Sequence, residues 1–223
     1  MMNYSRFAIY YLPTGALAKA GATWLGWDVD EGTPCDQPDV TGIGDITATP
    51  RKYGFHGTLK PPFRLAEGTD ADGLADAVQT LATTAAPVSI DSLHVSAIGR
   101  FLALIPRGDT TALANLAARI VQDLDAFRAP PSATELAKRR AAGLSPAQEA
   151  NLTRWGYPYV LNEFRFHMTL SGKLDDTQRQ IAQTALTHHL PPLPAPYVID
   201  QIALVGERQD GMFQTIHRYA LTG

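Results

Sequence analysis

Hydrophobic and polar residues follow two kinds of spacing along this chain, and together they predict a protein of mixed strands and helices. β-Branched and aromatic residues concentrate in runs that predict strands at 6–12, 88–98, 101–106, 197–205 and 213–221. Helical stretches are predicted at 15–25, 71–86, 109–127 and 175–189, the third from its apolar spacing. The segment 28–50 is rich in Gly, Pro, Asp and Thr, so we expect a long irregular connection there.

The order of these elements repeats. The sequences Phe55-His56-Gly57-Thr58-Leu59 and Phe166-His167-Met168-Thr169-Leu170 both read Phe-His-x-Thr-Leu, within strands predicted at 53–59 and 163–170. Each motif is followed by a helix, a strand that contains an Ile-Asp pair, and a further strand. We interpret this as a duplicated strand–helix–strand–strand unit, with repeats at about 51–127 and 162–223 in one bilobal domain that spans 1–223.

Residues 128–161 have no counterpart in the first repeat and predict a helical hairpin. Ser132, with Glu135 three residues later, indicates the start of a helix at 132–142, and Ser145-Pro146 indicates a second one that ends near residue 154. The two predicted helices carry four basic residues, Lys138, Arg139, Arg140 and Arg154. A solvated surface excursion and a lid over a cleft are both compatible with this pattern.

The paired motifs carry the candidate chemistry. In a strand, residues two apart point to the same face, so His56 and Thr58 form one pair and His167 and Thr169 a second. Two imidazoles can divide proton transfer, one as base and one as acid, while hydroxyls hydrogen-bond to phosphate oxygens. The same argument adds weaker candidates for substrate binding, namely Lys60, Arg165, Arg51 and Tyr53.

The remaining polar and aromatic residues have structural explanations. His188 and His189 precede a Pro-rich turn and are typical of a helix C-terminus. We expect structural roles for His94 and His217, packing roles for Trp24, Trp27 and Trp155, and a role in turning the strand for Asp91 and Asp200. No residues are predicted to ligate a metal, and no cofactor is expected.

Composition narrows the class of protein. The chain has 223 residues, 45% hydrophobic and 18% charged, and a formal net charge of −3, which does not favour long nucleic acid as a partner. No apolar run approaches the roughly 18 residues that span a bilayer, and the first residues lack a signal-peptide pattern. The lone Cys35 fits a reducing compartment. We therefore expect a cytoplasmic monomer without membrane contact that acts on a small phosphorylated substrate.

Taken together, these residues resemble the 2H phosphoesterase superfamily, named for two His-x-Thr/Ser motifs, over nearly the whole chain. Segments 51–63 and 154–160 look like a bacterial subgroup linked to phosphonate metabolism through neighbouring carbon–phosphorus lyase genes. The resemblance implies a duplicated, two-lobed α+β fold of the RNA ligase/cyclic phosphodiesterase kind, with two antiparallel sheets around a central cleft and helices outside. It also implies His56 and His167 as acid and base, in an order left open, with Thr58 and Thr169 binding phosphate.

The function expected from the sequence is metal-independent hydrolysis of a small cyclic phosphodiester, in phosphonate metabolism. One alternative is an RNA 2′,3′-cyclic phosphate processing enzyme or ligase, which the long insertion and the acidic balance count against. Another is a protein that binds a phosphorylated metabolite without turnover, and such a protein has no need for two titrating groups. A metallohydrolase has the least support, because His188 and His189 lack a nearby carboxylate or Cys pattern. The substrate and the regiochemistry of ring opening stay open.

Overall fold

The computed structural model describes residues 4–223, which form an α+β protein. The strands are β1 (Phe7–Tyr11), β2 (Trp27–Asp28), β3 (Thr33–Pro34), β4 (Gly57–Phe63), β5 (Val88–Ile90), β6 (Ser92–Ile98), β7 (Phe101–Arg107), β8 (Met168–Thr169), β9 (Tyr197–Ile199), β10 (Gln201–Glu207) and β11 (Phe213–Ala220). The helices are α1 (Gly15–Leu25), α2 (Ile43–Arg51), α3 (Ala71–Thr83), α4 (Thr111–Asp123), α5 (Ala133–Arg140), α6 (Pro146–Trp155) and α7 (Asp176–His189). The predicted fold class is therefore confirmed.

The principal sheet has seven antiparallel strands in the order β11-β10-β1-β4-β8-β7-β6. The strands of the two expected sheets are joined edge to edge, and in the described residues the join is a single residue pair, Gly57 opposite Met168. Each repeat ends in a β-hairpin, β6-β7 in the first and β10-β11 in the second. Each β-hairpin lies on the half of the sheet that holds the other repeat's motif strand. β6 and β7 lie beside β8, whereas β10 and β11 lie on the β4 side, with β1 between them and β4.

The repeats also exchange strands in a second, smaller ladder. β5 of the first repeat pairs with β9 of the second, with Ser89 opposite Val198. Asp91 and Asp200 each lie at the break where the chain leaves this ladder and enters the principal sheet. The prediction that both residues mark a turn of the strand is confirmed.

The core forms on one face of the motif strands. Alternating motif residues are buried in a single hydrophobic cluster, which includes Phe55, Leu59, Phe166, Met168 and Leu170. The intervening residues, His56, Thr58, His167 and Thr169, are partly exposed on the opposite face. Burial of one face fixes the register of each strand, because a slip by one residue would place the histidines in the core.

Helix α2 corrects the prediction that 28–50 is irregular. Its buried residues, Ile43, Ile46, Thr47 and Pro50, follow helical spacing, which the high Gly, Thr and Pro content of the segment conceals. Pro50 has no N–H to donate to the carbonyl of Ile46. The N–H of Gly172 donates to that carbonyl instead, at 2.6 Å, and so attaches α2 to the loop that follows the second motif.

The extent of the motif strands also differs from the prediction. β4 begins at Gly57 and continues through Pro61 and Pro62, where the sequence predicted a stop. The register with β1 shifts between the Ile9–Lys60 and Phe7–Phe63 pairs, and this bulge accommodates two residues that cannot donate to a ladder. β8 is only two residues long, shorter than the predicted strand at 163–170.

The other predicted elements form with small shifts at their ends. α5 and α6 begin at the predicted residues, and Ser132 and Ser145 both form capping boxes. His188 and His189 occupy the last turn of α7, as expected. Trp24 and Trp27 are buried, and their Nε1 atoms donate hydrogen bonds to the carbonyls of Leu170 and Phe213. In residues 4–223, no helix has the length and apolarity needed to cross a membrane.

The join between the halves of the sheet predicts an effect of mutation. A Cβ at Gly57 would lie 2.4 Å from Cε2 of Phe166, a ring fixed in the core, so Gly57→Ala should lower the free energy of unfolding by about 1–3 kcal/mol. Gly44→Ala is the matched control, because no atom lies within 4 Å of a Cβ there, and it should be neutral or slightly stabilising. Urea unfolding measures both, and equal stability of the two variants would contradict the packing argument.

Candidate functional site

The two motifs meet as a square array of side chains. Gly57 lies opposite Met168, so the next pairs of the same antiparallel register place His56 opposite Thr169 and Thr58 opposite His167. Side chains directly opposite one another have Cβ atoms about 4.5–5.5 Å apart. The structure therefore brings together the four residues that the sequence singled out, on the face of the sheet turned away from the core. We call these four residues the His-Thr array.

His56 is held in one tautomer. Its Nδ1 lies 2.9 Å from the carbonyl oxygen of Gly54, which can only accept, so Nδ1 carries a proton and donates it. In the neutral ring, Nε2 then accepts a hydrogen bond from the Thr58 hydroxyl at 3.0 Å. Tyr10, opposite Thr58 in β1, stacks on the imidazole with ring centroids 3.8 Å apart.

These surroundings make the protonated form of His56 unfavourable. Burial against the sheet, with a smaller contribution from the charge of His167, lowers the pKa of His56 to about 4. The hydrogen bond to Gly54 opposes this shift but does not cancel it. His56 is consequently neutral at neutral pH, with Nε2 available as a proton acceptor.

His167 repeats the tautomer but not the packing. Its Nδ1 donates to the carbonyl of Arg165 at 2.8 Å, as His56 does to Gly54, so its Nε2 also points away from that carbonyl. The neighbouring ring is Phe101, whose centroid is 5.9 Å away, and no ring stacks closely on it within the described residues. The two imidazoles thus share a geometry and differ in how deeply they are enclosed.

Two of the four weaker candidates line a cavity beside the array. The cavity has a volume of about 330 Å³, and Tyr53 and Lys60 are part of its wall. Tyr53 also lies near the array, with its ring centroid 6.0 Å from that of His56. Lys60 is 2% exposed, and its Nζ donates to the carbonyl of Val121 at 3.0 Å. Burial lowers the pKa of Lys60 to about 8.

The other two weaker candidates, Arg51 and Arg165, are not part of the cavity wall. The Arg51 guanidinium donates to the carbonyls of Leu25 and Gly44 at 2.7 and 2.9 Å, and to Thr47 at 3.0 Å. It therefore holds α1 to α2 and is not part of the cavity wall, so the substrate-binding prediction for Arg51 is not supported. Arg165 has an exposed side chain and contributes its backbone carbonyl to His167.

The structure adds residues that the sequence did not single out for function. Tyr10, in a strand with no recognisable motif, forms the closest aromatic contact of the array. The cavity is also lined by Arg6, Lys52, Arg64, Arg128, Lys138, Arg139, Trp155 and Tyr157. Trp155 was expected only to pack, and Lys138 and Arg139 belong to the insertion that had two possible roles. Within residues 4–223, no cluster of His, Cys, Asp and Glu could hold a metal ion.

The chain matches a protein-family model described as protein of unknown function (DUF1045) over residues 58–214. It is 37% identical over 221 residues to ribose 1,5-bisphosphate phosphokinase PhnN of Janthinobacterium sp. (strain Marseille), an alignment that covers 94% of this chain and 49% of that protein. It is 36% identical over 177 residues to the protein of that name from Laribacter hongkongensis (strain HLHK9), with 77% and 41% covered. The chain thus spans about half the length, or less, of these curated relatives.

Solved structures that superpose on this chain include TT0787 of Thermus thermophilus. It is 13% identical, with 98% of each chain covered and a TM-score of 0.47. A crystallised phosphoesterase is 17% identical, with 99% of this chain and 100% of that chain covered and a TM-score of 0.42. LigT of E. coli, complexed with NADP+, is 14% identical, with 99% of each chain covered and a TM-score of 0.43.

The enclosure of His56 predicts an unusual titration. We expect its imidazole to be half-protonated near pH 4, and to show the Nδ1-protonated neutral tautomer at pH 7. Long-range ¹H–¹⁵N spectra recorded from about pH 3.5 to 8 would measure this, with His56→Gln identifying the signal. A midpoint near the ordinary value of about 6.5 would contradict the burial argument.

The same shift predicts how acid affects stability. Unfolded histidine takes up a proton at about pH 6.5, whereas folded His56 does so at about 4. Stability from this residue is therefore present above about pH 6.5 and is lost as the pH falls from there towards 4, by up to about 3 kcal/mol. Urea unfolding at pH 7 and pH 5 should show a smaller loss in His56→Gln than in the wild type.

Proposed function

The chain belongs to the family described as protein of unknown function (DUF1045), and we propose that it is a metal-independent phosphodiesterase acting on a small cyclic phosphodiester. The observation that carries this proposal is the His-Thr array, in which two imidazoles and two hydroxyls converge from pseudo-equivalent strands. Four such groups suit a phosphate ester, because hydrolysis needs a base, an acid and donors to the nonbridging oxygens.

We assign the base to His56 and the acid to His167. His56 is neutral at neutral pH, so its Nε2 can take a proton from an attacking water. The water oxygen forms a bond to phosphorus, the ester P–O bond on the opposite side breaks, and protonated His167 gives its Nε2 proton to the leaving alkoxide. The product is a phosphomonoester, and solvent returns the two histidines to their starting protonation states. The closely stacked Tyr10 excludes water from one face of His56.

The hydroxyls of Thr58 and Thr169 complete the site. In the structure, the Thr58 hydroxyl lies 3.0 Å from Nε2 of His56, so it occupies the region where the reacting group would bind. When a phosphate enters, both hydroxyls can rotate and donate to its nonbridging oxygens, which stabilises the charge that builds up there. Donors of this kind are neutral and do not compete with the histidines for protons.

We propose that the substrate is a ribose cyclic phosphate and that the protein acts in phosphonate metabolism. Support comes from the curated relatives, which are named for a kinase of ribose 1,5-bisphosphate. The formal net charge of −3 and the limited volume of the cavity, about 330 Å³, favour a small ligand over RNA. We place the protein in the cytoplasm, as a monomer.

The name of the relatives suggests a phosphokinase as a second function. We assign that activity to the part of those proteins that this chain does not span, since the chain covers 49% and 41% of their lengths. The sequence of this chain also lacks a Gly-x-x-x-x-Gly-Lys-Ser/Thr loop, a common means of holding nucleotide phosphates. Transfer of phosphate from ATP to a ribose phosphate by the purified chain would favour the kinase instead.

The proposed function predicts that hydrolysis depends on both histidines. Purified protein with EDTA present should open ribose 1,2-cyclic phosphates or nucleoside 2′,3′-cyclic phosphates to monoesters, detected by ³¹P NMR. His56→Gln and His167→Gln should each reduce kcat by about 10²–10⁴.

The control for this experiment is His188→Gln, which changes an exposed histidine in the last turn of α7 and should retain activity. Circular dichroism of every variant separates loss of chemistry from loss of fold. Turnover that survives in His56→Gln would exclude the two-histidine mechanism. Tight binding of a cyclic phosphate that is recovered intact would favour a binding protein.

A further inference from the structure

The cavity beside the array is strongly basic. Seven cationic side chains line it, Arg6, Lys52, Lys60, Arg64, Arg128, Lys138 and Arg139, together with one carboxylate, Glu135. Its wall consists of β4, the residues just before β1 and β4, Val121 of α4, and the insertion with its helices α5 and α6. In a chain whose net charge is −3, this concentration of positive charge indicates an anionic occupant. We call it the basic cavity.

Bonds to neighbouring carboxylates account for only part of this charge. Glu207 accepts from Arg6 at 2.5 and 2.6 Å, Asp125 accepts from Arg128 at 2.8 Å, and Glu135 accepts from Arg64 at 2.7 Å. Three carboxylates thus oppose seven cations. In the part of the chain that the structure describes, Lys138 and Arg139 form no ion pair, and Arg139 lies over the Tyr157 ring at 4.6 Å.

Lys60 provides a buried cation in the wall of the cavity. One of its three protons is donated to Val121, and the nearest carboxylate oxygen, on Asp125, is 3.8 Å away, beyond hydrogen-bond distance. A buried ammonium with unused donors is costly unless an anion or water satisfies them. A bound anion would supply that partner, and its charge would raise the lowered pKa of Lys60.

The basic cavity lies next to the His-Thr array. Lys60 follows Thr58 by two residues in β4, with a register shift against β1 between them, so their Cα atoms are at most about 7 Å apart. Tyr53 touches both regions, since it lines the cavity and lies 6.0 Å from His56 between ring centroids. A single small molecule can therefore reach the array with one phosphate and the cavity with another.

We infer that the basic cavity binds a second phosphate of the substrate, a phosphomonoester that does not react. This inference rests on the proposed function and narrows its substrate to cyclic phosphodiesters that carry a separate phosphomonoester on the same small molecule. The buried Lys60 contacts this phosphate inside the cavity, and the exposed Lys138 and Arg139 contact it at the cavity rim. The insertion is then a specificity element, because α5 carries both rim cations.

The test compares matched substrates that differ only in the distal phosphate. A ribose cyclic phosphate and a nucleoside 2′,3′-cyclic phosphate are each assayed with and without a phosphate on the primary hydroxyl. We expect kcat/KM to be at least about 10-fold higher with the distal phosphate. The double variant Lys138→Gln/Arg139→Gln should raise KM for the phosphorylated substrates about 10-fold with kcat nearly unchanged, and leave the others unaffected.

The matched control is Arg179→Gln on α7, which removes a cation paired with Asp176 outside the cavity and should change neither substrate. Equal kcat/KM with and without the distal phosphate would overturn the inference and leave the proposed function intact. If no cyclic phosphate is hydrolysed, the proposed function fails, and binding of ribose 5-phosphate is measured by calorimetry. If the wild type binds ribose 5-phosphate and the double variant does not, the basic cavity is supported as an anion site. If the wild type does not bind ribose 5-phosphate, the inference is overturned.

Discussion

The antiparallel contact between Gly57 and Met168 is the interaction on which the site depends. Within residues 4–223 it is the only residue pair that joins β4 to β8, and it sets which residues of the two motifs face one another. Core packing fixes this residue pair, because the Phe166 ring lies where a Cβ of residue 57 would be. One close approach between two backbones therefore determines both the continuity of the sheet and the placement of four reactive side chains.

The two halves of the site are similar in sequence and unequal in surroundings. β1 lies between β4 and β10, whereas β8 pairs directly with β7. β1 places Tyr10 against His56, whereas β7 places Phe101 at a greater distance from His167. The additional strand encloses His56 more closely, and this burial lowers the pKa of His56.

Local sequence patterns predicted what local physics determines. Alternation around the motifs placed His56 and Thr58 opposite the core face, and Ser132 and Ser145 marked the helix starts of the insertion. The pattern failed where a distant residue compensates for a local defect. Pro50 is compatible with α2 because Gly172 donates to the carbonyl of Ile46, more than a hundred residues away along the chain. The cations of the basic cavity come from residues next to β1, from β4 and the residues around it, and from the insertion, so no local motif contains them.

The arrangement of the hairpins has an implication for the origin of this fold. β6 and β7 complete the sheet beside the motif strand of the second repeat, and β10 lies on the half that holds the first. A primordial polypeptide with one repeat could not have built the complete sheet alone, because its hairpin would extend away from its own motif strand. Two copies that exchanged hairpins could have built it, as domain-swapped dimers do. Duplication and fusion would then have turned an intermolecular exchange into an intramolecular one, after which each half could diverge.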